Sequence, residues 1–456
     1  MYPLTFAQAA ADLGQLRSDQ TQISKVIIDS RKAVPNCLFF ALPGTKADGH
    51  QFVPDVLRTG GFAVVKKGYG DDPRLIEVDD PLAALQQLAR AHLRRIGIPV
   101  VAITGSNGKT TTKDITARIL QTRFQVCKTQ DNYNNEIGVP LTIFSLEEHH
   151  QILVLEMGMR GLGQIRHLTE IAPPDVAVIT NIYPVHLELL GSMENIAAAK
   201  AEIVEGLKPG GIAVLNGDDP WVRRAATLAE NVVYFGKNGA NQLSADNLTV
   251  DADGKPRFTV HWYGESYHVS LDVPGIHNVY NCLAAMAVGL CFQIHLADAI
   301  ASLRDIHLTG MRFQIEKCSH GITIVNDAYN ASPASMHAAL ETLAAIQTTQ
   351  RKVAILGDML ELGPISETAH EAVGEQAAHV CEQLVFVGKN AEMMQKGALK
   401  AGISPAHVRI YSAVDQLLNE LTDLVKPNDL VLVKASRGIA LERVVAVLKE
   451  RYDNNG

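Results

Sequence analysis

The sequence predicts an α/β protein of three domains, on three observations. Short apolar runs alternate with helical stretches, and the alternation restarts part-way along the chain. At 456 residues the chain is longer than one ordinary hydrophobic core serves. A strand-like run, "VVAIT" (100–104), enters the loop Gly105-Ser106-Asn107-Gly108 and leaves it as a helix starting near Lys109. Such a turn aims backbone N–H groups at an anion.

Residues 1–97, the expected small N-terminal α/β domain, mix short strands with loops rich in Asp, Gly and Pro. They close on "PLAALQQLARAHLRRIG" (81–97), whose apolar residues recur at helical spacing. Pro99 in "GIPVVAIT" punctuates the chain and marks a boundary. Residues 98–309 carry "VVAIT", "ILVLEM", "VAVITNI" and "IAVLNGD" between helical runs, the pattern of a buried, mostly parallel sheet with crossover helices. Within them, "RFTVHWYGESYHVSLDV" alternates at period two around Gly264-Glu265, which predicts a hairpin; "HNVYNCLAAMAVGLCF" follows as a helix. In residues 310–456, "GITIVNDAY", "KVAILGDM", "QLVFVGK", "VRIYSA" and "DLVLVKAS" each precede a helical run. This is a second, Rossmann-like open sheet, where ligands bind beyond the carboxyl ends of the strands.

The composition, 47% hydrophobic and 20% charged, is that of a soluble enzyme. A net charge of −8 argues against a nucleic-acid partner, which normally meets a basic face, but leaves room for a local cationic pocket. Cys37, Cys127, Cys282, Cys291, Cys318 and Cys381 are scattered without a C-x-x-C and read as buried small hydrophobes in a reducing compartment. "MYPLTFAQAAADLGQLRSDQ" lacks the basic and apolar regions of a signal peptide, and "CLAAMAVGLCF" is too short to span a bilayer. The expectation is a cytoplasmic monomer without membrane insertion.

The usual phosphate-loop pattern, G-x-x-x-x-G-K-[ST], requires glycine where Ile103 stands. A plain glycine turn is the simpler alternative, but Gly-Lys-Thr-Thr between a strand and a helix speaks against it. On this reading Lys109 neutralises the β/γ-phosphates and the Thr110 hydroxyl meets Mg²⁺, with Thr111 a second candidate.

"TGSNGKTT" (104–111) resembles the loop of the Mur ligases and their folylpolyglutamate synthetase relatives, which use ATP to join an amine to a carboxylate. Further family landmarks follow in order across nearly the whole chain: "NYNNEIGVPLT" (132–142), "LEMGMR" (155–160), "TNIYPVHLELLGS" (180–192), "AKAEI" (199–203), "GIHNVYNCLAA" (275–285), "MRFQ" (311–314), "NDAYNASPASM" (326–336), "LGDMLELG" (356–363) and "KASRG" (434–438). "NDAYNASP", "LGDMLELG" and "DSRKAVPNCLFFALPG" (29–44) are similar to the members that add D-alanyl-D-alanine to UDP-N-acetylmuramoyl-tripeptide. The "DYAHTPD" and "DNPR" stretches expected of members that add the third amino acid are not in the sequence.

The resemblance implies a UDP-binding N-terminal domain, a central ATPase domain, and a C-terminal domain that binds the dipeptide and closes over ATP. It implies Gly105, Ser106, Asn107, Gly108, Lys109, Thr110 and Thr111 at the phosphates, and His277, Asn278 and Asn281 at the adenine. Arg312 is implied at a phosphate and Asp327 at the ribose. By residue type alone Asn278 also reads as a helix N-cap. Thr110, Glu156, His186 and a carbamylated Lys200 are the implied ligands of two Mg²⁺ ions, with Lys109, Lys200 and His186 the catalytic set. Taken alone, Glu156 is a strand-end carboxylate, His186 a structural histidine and Lys200 a helix-surface lysine.

Ser30, Arg31, Asp48 and His50 are implied to hold the UDP end, and Asn134, Asn135 and Glu136 the muramoyl-peptide. Asn330, Ser332, Ser335, Lys434, Ser436 and Arg437 are candidates for the dipeptide, a cation there suiting its free carboxylate. Tyr183, Ser332 and Ala435 stand where family members often carry Gly, Asn and Gly. The alternatives are another Mur-type or folylpolyglutamate-type ligase and, from a different class, a P-loop nucleotide switch.

Overall fold

The computed structural model describes residues 1–44, 47–304, 306 and 310–453, and contains three sheets. In the first section β1 (Lys25–Ile27), β2 (Cys37–Phe40), β3 (Phe62–Lys66) and β4 (Leu75–Val78) form an all-parallel sheet in chain order. Alternate side chains point to opposite faces, and both faces are covered. Cys37 and Phe39 pack with Val53 and Val56 of the helix Val53–Arg58. Leu38 and Phe40 pack toward the helix Pro81–Ile96.

That helix begins where the Asp80 side chain accepts from the N–H groups of Leu82 and Ala83, and ends at Gly97 in a left-handed conformation (φ 71°). Its Leu85, Leu88 and Leu93 share one apolar cluster with Phe6 on one side and with Val100, Ala102, Leu153 and Leu155 on the other. The hydrophobic core is therefore continuous across Pro99, although the chain is punctuated there.

The central sheet comprises β5 (Val100–Thr104), β6 (Val126–Lys128), β7 (Ile152–Glu156), β8 (Val176–Ile179), β9 (Ile212–Asn216), β10 (Asn231–Gly236), β11 (Leu243–Val250), β12 (Pro256–Trp262) and β13 (Glu265–Ser270). Their spatial order is β6-β7-β5-β8-β9-β10-β11-β12-β13, parallel from β6 to β11 and antiparallel beyond. β5 lies between β7 and β8. The strand order reverses there, which opens a crevice at the carboxyl end of β5. Val101 and Ile103 face the helices Lys109–Leu120 and His277–Cys291 through Ile115, Ile119, Cys282 and Met286.

The expected hairpin is present, but its turn is Tyr263-Gly264, one residue earlier than the sequence indicated. Trp262 pairs with Glu265, and both turn residues have positive φ (45° and 86°). A two-residue loop of that kind matches the right-handed twist of the strands.

The last sheet holds β14 (Gln314–Lys317), β15 (Thr323–Asn326), β16 (Arg351–Gly357), β17 (Gln383–Val387), β18 (Val408–Tyr411) and β19 (Asp429–Lys434), ordered β14-β15-β19-β16-β17-β18. All neighbours are parallel except β14 with β15. Each face has its own apolar cluster, one around Leu340, Leu356 and Phe386, the other around Ile355, Leu417 and Val433. None of the six cysteines forms a disulfide among the described residues; contrary to expectation, Cys291 and Cys318 are only half-buried. Among the described residues no helix is long and apolar enough to cross a membrane.

Candidate active site

Ile103 explains the departure from the usual phosphate loop. It is still a sheet residue, fully buried and paired with Glu156 and Val178, so the strand runs on to Thr104 and the turn starts only at Gly105. Its glycines are required by close approach. A Cβ on Gly105 would lie 1.9 Å from Thr180 Oγ1, and one on Gly108 (φ +80°) would lie 2.2 Å from Asn281 Oδ1. The segment after β8 holds the turn from beneath. Asn107 N–H donates to Asn181 Oδ1 (2.8 Å), Thr180 Oγ1 donates to the Asn107 carbonyl (2.7 Å), and Ser106 Oγ donates to the Tyr183 carbonyl (3.0 Å).

Lys109 folds back over the turn, its Nζ donating to the carbonyls of Gly105 (2.8 Å) and Ser106 (3.2 Å). Burial lowers its pKa, opposed by the Glu156 carboxylate and assisted by Arg312. Thr110 Oγ1 donates to Glu156 Oε2 (2.6 Å) and accepts from Arg312 Nη2 (2.8 Å). Glu156 also accepts from Asn134 Nδ2 (2.7 Å), while its backbone N–H donates to Thr129 Oγ1 (3.0 Å). The Arg312 guanidinium lies over the Tyr329 ring at 4.0 Å. Ser332 Oγ donates to Asn107 Oδ1 (3.0 Å), a second bond between the last section and the loop. Thr111 lies beside Thr110 at the cleft wall.

Lys200 lies on the helix Met193–Glu205 with 2% of its surface exposed, and its side chain makes no hydrogen bond or ion pair with any described residue. Burial, then the charge of Lys109, holds its pKa well below the usual lysine value. It is not among the residues that line the cleft. His186, with φ 55°, hydrogen-bonds the Glu361 carboxylate through Nδ1. Burial lowers its pKa, against the pull of Glu361.

His277, Asn278 and Asn281 reach the same cleft, but Asn278 is not the helix cap. The helix starts at His277 after Ile276 without a side-chain cap. Asn278 Nδ2 instead donates to the Pro274 carbonyl (2.7 Å) and Asn278 Oδ1 accepts from Asn281 Nδ2 (2.9 Å). Backbone turns at Pro274-Gly275 take the place that sequence spacing assigned to the cap. Desolvation holds the His277 imidazole at a pKa of about 4, against the attraction of Asp327. Asp327 pairs with the buried Lys434 (2.7 Å) and accepts from Phe313 N–H (3.1 Å).

The cleft has a volume of about 1740 Å³ and is walled by the central and last sections together with Asp80, Leu82, Ala83 and Gln86 of the first. Asn134, Asn135, Glu136, Asn330, Ser335 and Lys434 line it. Ser332 caps the helix Pro333–Ala345 at its edge. Ser436 and Arg437 lie outside: Ser436 accepts from Leu360 N–H (3.0 Å), and Arg437 pairs with Glu442 (3.3 Å). Ser30, Arg31, Asp48 and His50 form two turns on the first section, where Asp29 pairs with Arg31 (2.8 Å) and Asp48 with His50 (2.7 Å). They are not part of the cleft wall. Sequence reasoning passed over Thr180, Asn181, Tyr329 and Glu361. All four lie inside stretches that carry the family resemblance, which was the available signal.

The fit of a nucleotide and a cation is tested by polar groups left over. Asn107 Nδ2, His277 Nδ1 and Arg312 Nε are buried without a hydrogen-bond partner among the described residues, and all three residues line the cleft. Native interiors seldom leave such atoms unpaired, so a ligand rich in hydrogen-bonding groups fits. No group of three or more His, Cys, Asp or Glu side chains that could hold a metal is found among the described residues. One carboxylate and a hydroxyl fit Mg²⁺, which completes its octahedron with water and substrate phosphates, and do not fit a protein-caged transition metal.

Residues 103–289 match the Mur ligase middle domain, and residues 311–437 match the Mur ligase, glutamate ligase domain. The chain is 40% identical over 437 residues to the UDP-N-acetylmuramoyl-tripeptide–D-alanyl-D-alanine ligase of Bacillus subtilis (strain 168), covering 95% of this chain and 94% of that one. It superposes on a crystal structure of MurF from Acinetobacter baumannii with a TM-score of 0.88 at 30% identity, over 99% of both chains. For the MurF ligase from Thermotoga maritima in complex with ADP the TM-score is 0.82 at 30% identity, over 94% of this chain and 97% of that one. The likeness therefore runs through all three sheets and not through the phosphate loop alone, and the chain belongs to the Mur ligase family.

Proposed function

We propose that this chain joins D-alanyl-D-alanine to UDP-N-acetylmuramoyl-tripeptide, consuming ATP through an acyl phosphate and giving the pentapeptide, ADP and phosphate. The observation that carries the reading is one atom, Thr110 Oγ1, bonded both to Glu156 of the central section and to Arg312 of the last. A site assembled from two sections suits a reaction whose activated intermediate must be shielded from water. Full-length similarity to enzymes named for this reaction selects the substrates. A folylpolyglutamate-type ligase or a nucleotide switch leaves that similarity without a reason.

In this reading the turn Gly105 to Gly108 cradles the phosphates through amides other than those of Ser106 and Asn107, which donate to Asn181. Lys109 exchanges its two carbonyl partners for the β/γ oxygens and stabilises charge as the γ-phosphoryl group moves to the substrate carboxylate. Arg312 reaches a phosphate across the cleft, Thr111 stands by Thr110, and His277, Asn278 and Asn281 border the adenine. For Asp327 to hold the ribose it must share its carboxylate with Lys434. Thr110 and Glu156 would hold Mg²⁺ at one position and His186 and Lys200 at another, where the ion would neutralise charge on the phosphates and the attacking carboxylate.

Lys200 suits that role only as a carbamate. A buried amine without a partner and with a strongly lowered pKa is the neutral nucleophile that CO₂ requires, and forming the N–C bond releases a proton and leaves an anion. Asn134, Asn135 and Glu136 are assigned to the muramoyl-peptide, and Asn330, Ser332, Ser335 and Lys434 to the dipeptide. Ser436 and Arg437 act there only if the last section shifts on substrate binding. Ser30, Arg31, Asp48 and His50 receive the UDP end on the first section. Residues 1–97, 98–309 and 310–456 are the three domains of this scheme, and the cytoplasmic, monomeric state expected from the sequence belongs to it.

The test is a reaction with the UDP-linked tripeptide, Mg-ATP and D-alanyl-D-alanine, each omitted in turn, following phosphate and product mass. Pentapeptide is expected only in the complete mixture. Phosphate release indifferent to both peptides would sink the ligase reading.

A further inference from the structure

Glu361 belongs to the loop after β16, whereas His186 belongs to the segment after β8, 175 residues away. Their side chains meet through Nδ1 and a carboxylate oxygen, each less than one-third exposed. A carboxylate accepts and does not donate, so Nδ1 carries the proton and Nε2 is left as the lone-pair nitrogen of the neutral ring. Both residues have left-handed backbones, φ 55° for His186 and 63° for Glu361, a conformation that non-glycine residues adopt at a cost. Such strain persists where surrounding contacts over-determine it.

Here the contacts are between the two sections themselves. Glu188 N–H donates to the Glu361 carbonyl (3.3 Å). Gly363 (φ +56°) lies so close to Glu188 that a Cβ there would be 3.2 Å from its Cα. Arg160 Nε stands 3.9 Å from the second Glu361 oxygen.

We propose that Glu361 is a positioning residue that couples docking of the C-terminal section to the metal-facing state of His186. Resting on the ligase reading, in which His186 faces the second cation, it makes that position complete only when the loop bearing Glu361 has docked. Before docking, the ring is free to rotate and to exchange tautomers. Afterwards the ring is fixed, with Nε2 the nitrogen that would face the cation. Cation binding and closure then favour each other, since each stabilises the arrangement the other needs.

The test uses the full chain with ADP and Mn²⁺ as the probe cation, comparing wild type with Glu361→Ala and Glu361→Gln. Mn²⁺ affinity is read by electron paramagnetic resonance and compaction by small-angle scattering. Loss of the carboxylate is expected to weaken Mn²⁺ binding roughly ten-fold and to abolish the Mn²⁺-dependent compaction. E361Q, which keeps an acceptor oxygen, should fall between. Equal Mn²⁺ affinity in wild type and E361A overturns the proposal, as does compaction that survives in E361A. If E361A loses its cooperative melt, E361Q carries the test, and an unchanged affinity there overturns it. Neither readout involves a peptide substrate, so failure of the omission assay and failure of this coupling are separate results.

Discussion

Lys109 and Lys200 are both lysines withdrawn from water, yet their surroundings differ. Lys109 has two carbonyl partners and a nearby carboxylate; Lys200 has neither and faces Lys109's charge. For Lys109→Ala we expect kcat/KM to fall by roughly 100- to 1000-fold or more through lost transition-state charge stabilisation, with the melting temperature little changed. Near-normal turnover would remove this lysine from the chemistry. For Lys200→Ala we expect inactivity, partly rescued by a short carboxylic acid, and for the wild type a dependence on bicarbonate. Absence of both responses would count against the carbamate.

A third residue-scale prediction concerns His92, which is fully buried against Phe144 and Tyr2 with neither ring nitrogen hydrogen-bonded. Burial, with Arg95 adding, holds its pKa at about 4 against an ordinary value of 6.5. The unfolded chain therefore binds a proton that the native chain refuses. The stability contribution is whole above pH 6.5 and is lost as the pH falls toward 4, by about 3 kcal/mol in all. Urea midpoints between pH 4 and 7 should show a shallower acid decline in His92→Leu than in wild type. Parallel curves would contradict this.

Elements were legible where local chemistry decides them. Asp80 and Gly97 bracket a helix that the apolar spacing already outlined, and the buried runs of β5, β7, β8 and β9 read as strands because both faces are covered. β14 escaped detection because its residues are mostly exposed and its strand character comes from pairing with β15. The Asn278 cap failed for a related reason: side-chain amides take whichever carbonyl the tertiary packing brings near. Two glycines test the element scale. Gly264→Ala adds a Cβ in open space at φ 86°, so its cost is backbone strain alone, roughly 1 kcal/mol, with turnover unchanged. Gly108→Ala drives a Cβ into Asn281 and should abolish ADP binding measured by calorimetry; retained affinity would show that the turn tolerates a side chain.

At the scale of the whole molecule, apolar packing and chain punctuation divide the protein differently. One cluster joins the first and central sections through the helix Pro81–Ile96, whereas the last section keeps two clusters of its own. Residues 310–456 expressed alone should unfold cooperatively in urea, while residues 1–97 alone should not, having lost the packing partners of that helix. A cooperative transition in the 1–97 fragment would refute this division. The sequence by itself determined the α/β class, the phosphate turn and the family, because alternation, glycine placement and motif order are carried by neighbours in the chain. It could not decide that Arg312 meets Thr110, that Glu361 meets His186, or that Arg437 lies outside the cleft. Those outcomes depend on how separately folded sheets dock, and docking is set by surfaces that residues hundreds of positions apart build together.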